Sequence, residues 1–245
     1  MRILVTNCNT TEAMTARITA AARDAAAPGT VISGLTPAWG PESAEGWLDS
    51  YLSAAAVLDL LRRERERSAA GGEPFDAVVL AGFGEHGREG ARELLDVPVV
   101  DITEAAAHLA CLIGRRYGVI TTLDRSTGQI EDSLLTAGVA DHCAAVVATG
   151  LGVLELDDPA RSAAPLRRAA AEAVRAGAEV LVLGCAGMSG CAEALAARTG
   201  MPVVDGVTAG VRLAESLVAL GLRTSRTGSY RAPLPKRRIW SPQHG

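Results

Sequence analysis

The chain has 245 residues, 48% of them hydrophobic but only 3% aromatic, and a net charge of -4 with both signs mixed. That length allows one large domain or two small ones with cores built from Ala, Val, Leu and Ile. The charge makes no case for nucleic acid, and no apolar run is long enough to cross a bilayer.

The opening residues, Met1-Arg-Ile-Leu-Val-Thr-Asn7, are too short and strand-like for a signal peptide. They predict a strand over 3–6, a loop Asn7-Cys8-Asn9-Thr10-Thr11, and a helix over 11–26. A helix over 44–67 follows, then a strand over 77–80, the loop Gly82-Phe83-Gly84-Glu85-His86-Gly87, and a helix over 87–95. Next come a strand over 97–100, a helix over 102–113, and a strand over 117–121 ending in Thr121-Thr122. The last part predicts a helix over 126–137, a strand over 144–148, a helix over 159–176 and a strand over 180–183. After the loop Gly184-Cys185-Ala186-Gly187-Met188-Ser189-Gly190 come a helix over 189–198, a strand over 202–204 and a helix over 207–220. The Pro-containing tail carries Lys236-Arg237-Arg238, read as a solvated basic cluster.

Continuous Val/Ile/Leu strands alternating with helices mean parallel sheets covered on both faces, an α/β fold with right-handed crossovers. Two stretches repeat. Asp76–Gly84 followed by Val97-Pro-Val-Val-Asp101 matches Glu179–Gly187 followed by Met201-Pro-Val-Val-Asp205, with intervals that differ by one residue. The repeat predicts two pseudo-symmetric lobes, residues 1–98 plus 207–245 and residues 99–206, with the active site in the cleft between them. In this alignment Gly82 stands opposite Cys185. Where one copy has a thiol, the other has none.

In such folds the site lies at the carboxyl ends of the strands. Cys185 stands there between glycines that allow a ligand close to the backbone, at the start of a helical stretch that lowers a thiol's pKa. Such a thiolate can take a proton from carbon, return one, or attack as a nucleophile. A cysteine is otherwise a small hydrophobe, the reading given to Cys111, Cys143 and Cys191. Asn7 and Asn9 offer amides to a carbonyl, with Thr10 beside them, and Thr121 and Thr122 offer hydroxyls to an anion, although threonines there also cap helices. His86 is the only histidine in a site loop, a general acid or base unless it is merely a surface residue. His108 lies mid-helix, His142 in a turn and His244 in the tail.

Five cysteines, odd in number and without paired spacing, fit reduced thiols in a cytoplasm; no spacing suits a metal. Gly82-x-Gly84-x-x-Gly87 with Asp101 downstream formally meets the dinucleotide pattern. The first strand, however, and not this one, should open a nucleotide fold.

Taken together, Arg2-Ile-Leu-Val-Thr-Asn7-x-Asn9-Thr10, Gly40-Pro41 with Glu45-Gly46, the Gly82–Gly87 loop, Thr103-Glu104-Ala-Ala, Leu183-Gly-Cys185-Ala-Gly-Met188 and Ser229-Tyr230 carry a resemblance. The chain resembles the Asp/Glu/hydantoin racemase superfamily, nearest its hydantoin and allantoin racemase branch. The resemblance implies proton transfer, without cofactor, at a carbon next to a carbonyl of a hydantoin-, allantoin- or amino-acid-like substrate. It further implies two cysteines on opposite faces of that carbon and a homo-oligomer acting on a small molecule. Cys185 matches one cysteine; the other is Gly82, in a loop that reads Ala-Cys-Phe-Gly-Asp-Pro-Gly in the family. The family's Asn-Pro-Asn is Asn7-Cys8-Asn9 here, and its loop proline is His86.

Cys185, His86 and Cys8 are therefore the candidate catalytic residues. Asn7, Asn9, Thr10, Gly82, Phe83, Gly84, Thr121, Thr122, Gly184, Ala186, Gly187 and Met188 are the candidate binding residues. Three readings of Gly82 stand open: an engineered change, a natural single-cysteine enzyme resembling the arylmalonate decarboxylases, or replacement of the thiol by His86 or Cys8. A catalytically impaired variant or a small-metabolite binding protein is the remaining alternative.

Overall fold

The structure, a computed structural model, describes residues 1–240; His244 lies outside the described residues. Two four-stranded parallel sheets form two lobes. The first half runs β1 (Arg2–Asn7), α1 (Glu12–Ala25), β2 (Val31–Leu35), α2 (Trp47–Ala69), β3 (Ala77–Ala81), α3 (Arg88–Leu94), β4 (Val99–Asp101) and α4 (Ile102–Ile113). The second runs β5 (Tyr117–Thr121), α5 (Thr127–Thr136), β6 (Cys143–Ala148), α6 (Pro159–Arg175), β7 (Val180–Leu183), α7 (Ala192–Thr199), β8 (Val203–Asp205) and α8 (Gly206–Ala219).

The strand orders are β2-β1-β3-β4 and β6-β5-β7-β8, one arrangement used twice. Both central pairs, β1 with β3 and β5 with β7, therefore end at the kind of crevice where α/β sheets bind ligands.

Alternation along each strand divides its side chains between two helical layers. Ile3 and Val5 of β1 pack with Met14, Ile18, Val207 and Val211 from α1 and α8, while Leu4 packs with Val57, Leu61 and Leu94 from α2 and α3. In the second sheet Val119 meets Ile130 and Leu134 of α5, and Ile120 meets Leu166 and Ala170 of α6. Burial on both faces explains the unbroken apolar character of these strands.

Three expectations need correction. Strand β2 is missing from the sequence reading, because Val31-Ile-Ser-Gly-Leu35 is an edge strand with only Ile32 fully buried, so no apolar run marks it. The boundary between 98 and 99 would cut β4 from the sheet it completes, for Val99–Asp101 pair with Val78–Leu80 of β3. The helix expected from residue 189 begins at Ala192; a short 3-10 turn, Ala186–Met188, follows Cys185 instead. No helix among the described residues is long and apolar enough to cross a membrane.

Candidate active site

A cavity of about 40 Å3 lies where the two pairs of central strands end. Cys8, Asn9, Gly82, Phe83 and His86 line it from the first lobe, and Thr121, Thr122, Gly184, Cys185 and Ala186 from the second. Among the described lining residues there is no Lys or Arg.

Gly82 explains how the first wall is built. A Cβ at this position would collide with Cδ2 of the His86 ring, and would lie 2.7 Å from Cys8 Cβ and 2.9 Å from Cys8 Sγ. The Cys8 thiol and the His86 ring thus fill the volume that a side chain at position 82 would need. Gly82, Cys8 and His86 form one packed unit.

Burial, and next the neighbouring Cys185, push the Cys8 thiol up to about 12. Cys8 is therefore a protonated thiol at neutral pH, and close enough to Cys185 for their charges to interact. Cys185 is held from below by Gly184, whose N–H donates to Ile120 O at 2.8 Å. A Cβ on Gly184 would come within 2.6 Å of Val119, so only glycine lets β7 pass this close to β5.

His86 is buried at 5% exposure, which rules out the surface reading. Its Nε2 lies 3.3 Å from the Phe83 carbonyl and its Nδ1 3.2 Å from Ser50 Oγ. A carbonyl only accepts, so Nε2 carries the proton. Burial lowers the ring's pKa, outweighing the opposing pull of Glu85, and keeps the imidazole neutral. Both nitrogens are engaged by the protein and a carbon edge faces Gly82. His86 is placed as a wall of the site, not as its base.

Glu85 shapes this loop. It adopts φ 66, uncommon for a residue with a side chain. Its Oε1 accepts from the Gly87 and Arg88 N–H groups at 2.8 and 2.6 Å, and so caps α3. Its carbonyl accepts from Gln129 Nε2 at 3.4 Å and lies 3.0 Å from Ser50 Oγ, whose single proton is shared between this carbonyl and His86 Nδ1.

Several expected binding residues are committed elsewhere. Asn7 is fully buried and spends its side chain on Asn9, Thr11 and Thr15, fixing the loop that carries Cys8. The Thr10 N–H and hydroxyl both donate to Pro41 O. The Gly84 N–H donates to Thr103 Oγ1, and the Thr121 hydroxyl to Gly184 O. Asn7, Thr10, Gly84, Gly187 and Met188 do not line the cavity; Asn9, Phe83, Thr122, Gly184 and Ala186 do. Asp101, the acidic partner of the dinucleotide pattern, is fully buried and accepts from Thr103 N and Glu104 N as the cap of α4.

The sequence reading missed Met14, Ala44, Ser126, Gln129, Ile130 and Val153 in the lining. A signal existed for two of them. Ser126-Thr-Gly-Gln129 has the spacing of a capping box at the start of α5, yet the Ser126 side chain makes no capping bond there.

Above the cavity a strap runs from Gly40 to Gly46, two glycines at φ 116 and 150. Glu45 Oε1 accepts from Val153 N of the second lobe at 2.7 Å, and Pro41 O receives Thr10 of the first. The strap joins the two walls.

The Asp/Glu/Hydantoin racemase family model matches residues 3–214. A hydantoin racemase of Paenarthrobacter aurescens is 39% identical over 96% of this chain and 99% of its own length. Among solved structures, an allantoin racemase from Pseudomonas fluorescens is 54% identical with TM-score 0.91, covering 98% of this chain and all of that one. An allantoin racemase from Klebsiella pneumoniae is 40% identical with TM-score 0.92, over 99% and 97% of the two chains.

Proposed function

The chain belongs to the Asp/Glu/hydantoin racemase family, and we propose that it is a cofactor-independent racemase acting on allantoin or a related 5-substituted hydantoin, with Cys185 and Cys8 as its two proton-transfer groups. The observation that carries this reading is the position of Cys8: a thiol from the first lobe, in the volume a side chain at 82 would occupy, beside the thiol of the second lobe.

The carbon between a ring nitrogen and a carbonyl in a hydantoin is acidic, because its anion is an enolate. Cys185, as thiolate, takes that proton; the C–H electron pair moves into the ring and places charge on the carbonyl oxygen. The Cys8 S–H then delivers its proton to the opposite face, the C=O re-forms, and the product has inverted configuration. Cys185 ends as thiol and Cys8 as thiolate, and exchange with water resets both. Burial keeps Cys8 in its S–H form, the form that the proton-donating side of the resting enzyme requires. The absence of Lys and Arg among the described lining residues favours a neutral ureide over an amino-acid carboxylate. The full-length similarity to allantoin racemases supports allantoin as the first substrate to try.

The test is exchange and inversion of each allantoin enantiomer in heavy water. Wild type is expected to invert both, with deuterium at the reacting carbon. Gly82 itself favours a second reading, a single-cysteine lyase in which Cys185 only donates a proton. Full activity of a Cys8→Ala protein on a substituted malonate, with no exchange in any hydantoin, would establish that reading and sink the first.

A further inference from the structure

One polar group in the cavity wall has no partner. Ser126 lines the cavity and is 8% exposed, and its Oγ finds no hydrogen-bond partner among the described residues. A buried hydroxyl left unpaired is destabilising, and the hydroxyl does not serve α5 as a cap. Such a group calls for an explanation, and in a site wall a ligand atom supplies one.

Gln129 stands three residues along α5, hence beside Ser126 on the same helical face, and lines the same cavity. Its orientation is fixed by its partners. The Nε2 donates to Ser50 Oγ at 2.6 Å and faces the carbonyls of Gly84 and Glu85 at 3.3 and 3.4 Å. Carbonyls accept only, so the NH2 must be on that side, and none of those three bonds uses Oε1. One side chain thus supplies a hydroxyl that can donate and the next an oxygen that can accept.

We propose that Ser126 and Gln129 form an edge that reads one ureide unit of the substrate, Ser126 donating to its C=O and Gln129 Oε1 accepting from the adjacent N–H. This rests on the racemase reading for the identity of the ureide. The edge sits on the second lobe, the one that carries Cys185, so it sets the substrate's angle against that thiol. Because Gln129 also bonds the loop beside Gly82, the same side chain links substrate recognition to the first wall.

Ser126→Ala tests the edge without removing a cap. Two readings are taken on the full chain: KM for allantoin, and the melting temperature with and without allantoin. The edge predicts a KM raised about tenfold, the loss of one hydrogen bond at the upper end of its range. It also predicts a smaller allantoin-induced rise in melting temperature, and an unliganded melting temperature equal to or above wild type. Ser126→Thr, which restores a hydroxyl, should recover most of the KM. An unchanged KM and an unchanged allantoin-induced rise would overturn the proposal, as would a large fall in unliganded stability, which would reveal a structural role. If wild type is stabilised by allantoin but racemises nothing, the functional reading fails while the thermal comparison still judges the edge. If allantoin does not stabilise wild type either, the edge is refuted.

Discussion

At position 82 the Cys8 thiol and the His86 ring occupy the volume that a side chain would need. This makes Cys8 the group whose removal is most informative. Cys8→Ala should lower racemisation by about 10²–10⁴-fold, the usual worth of a positioned acid or base, while Cys185 still exchanges the proton of one enantiomer. Loss of exchange from both hands, measured by NMR in heavy water, would mean that Cys8 does more than protonate one face. Gly82→Cys alone should destabilise the protein by about 1–3 kcal/mol, as overpacking does, because the new Cβ meets the His86 ring and Cys8. Combining it with Cys8→Ala and His86→Pro removes the sulfur and the imidazole ring, leaves only the Cβ of residue 8 at 2.7 Å for the loop to relieve by a small shift, and returns a thiol to the strand end. Recovery of racemisation in the triple variant, relative to Cys8→Ala, would show that the two thiols are spatial substitutes; continued inactivity would argue that position 8 has its own geometry.

The junction of β4 and α4 behaves as a unit whose stability depends on pH. Asp101 caps α4 through Oδ1, but its buried Oδ2 makes no hydrogen bond among the described residues; Arg88 Nη1 makes none either, although it lies 3.7 Å from Glu104 Oε2. Burial, with Glu104 adding to it, raises the carboxyl from 3.8 to about 7 despite the attraction of Arg88. Its folded-state value lies above its unfolded one, so between about pH 4 and about pH 7 the native state holds a proton that the unfolded chain has lost. The stability this group contributes is thus complete below pH 4 and falls as pH rises through 7. Asp101→Asn keeps the capping oxygen and removes the titration. Urea midpoints taken from pH 5 to 8 should fall less in the variant than in wild type; parallel curves would show that Asp101 is already ionised at pH 5. His86 acts with the opposite sign, its lowered pKa costing stability as pH drops below 6.5. The variant comparison cancels that contribution.

Across the whole molecule, the two thiols belong to different lobes, so their separation depends on how the lobes are tied. Gln129 bonded to Ser50, and Glu45 bonded to Val153, make two such ties. The cavity holds only a few waters at about 40 Å3, so a hydantoin ring enters when the lining yields, and the strap of residues 40–46 is the segment hinged by glycines at both ends. Glu45→Ala should speed amide exchange in the strap and raise KM several-fold; unchanged exchange would mean that Thr10, on Pro41 O, and Thr11, whose hydroxyl donates to Glu42 O at 2.7 Å, hold it closed alone. Much of this molecule was legible in the chain itself. Buried parallel strands require continuous apolar runs, and the Pro-Val-Val-Asp repeat marks two lobes with one strand order. Local pattern also located the Cys185 loop, because glycines beside a strand end are a local feature. The edge strand β2 carried no such pattern, since a half-exposed strand needs no apolar run. The tertiary structure alone decided that Cys8 and His86 fill the space of the missing side chain, that Asn7 and Thr10 serve the loop and the strap, and that Ser126 and Gln129 turn from capping to the cavity. Each of these depends on contacts between segments far apart in sequence, which local periodicity and composition cannot encode.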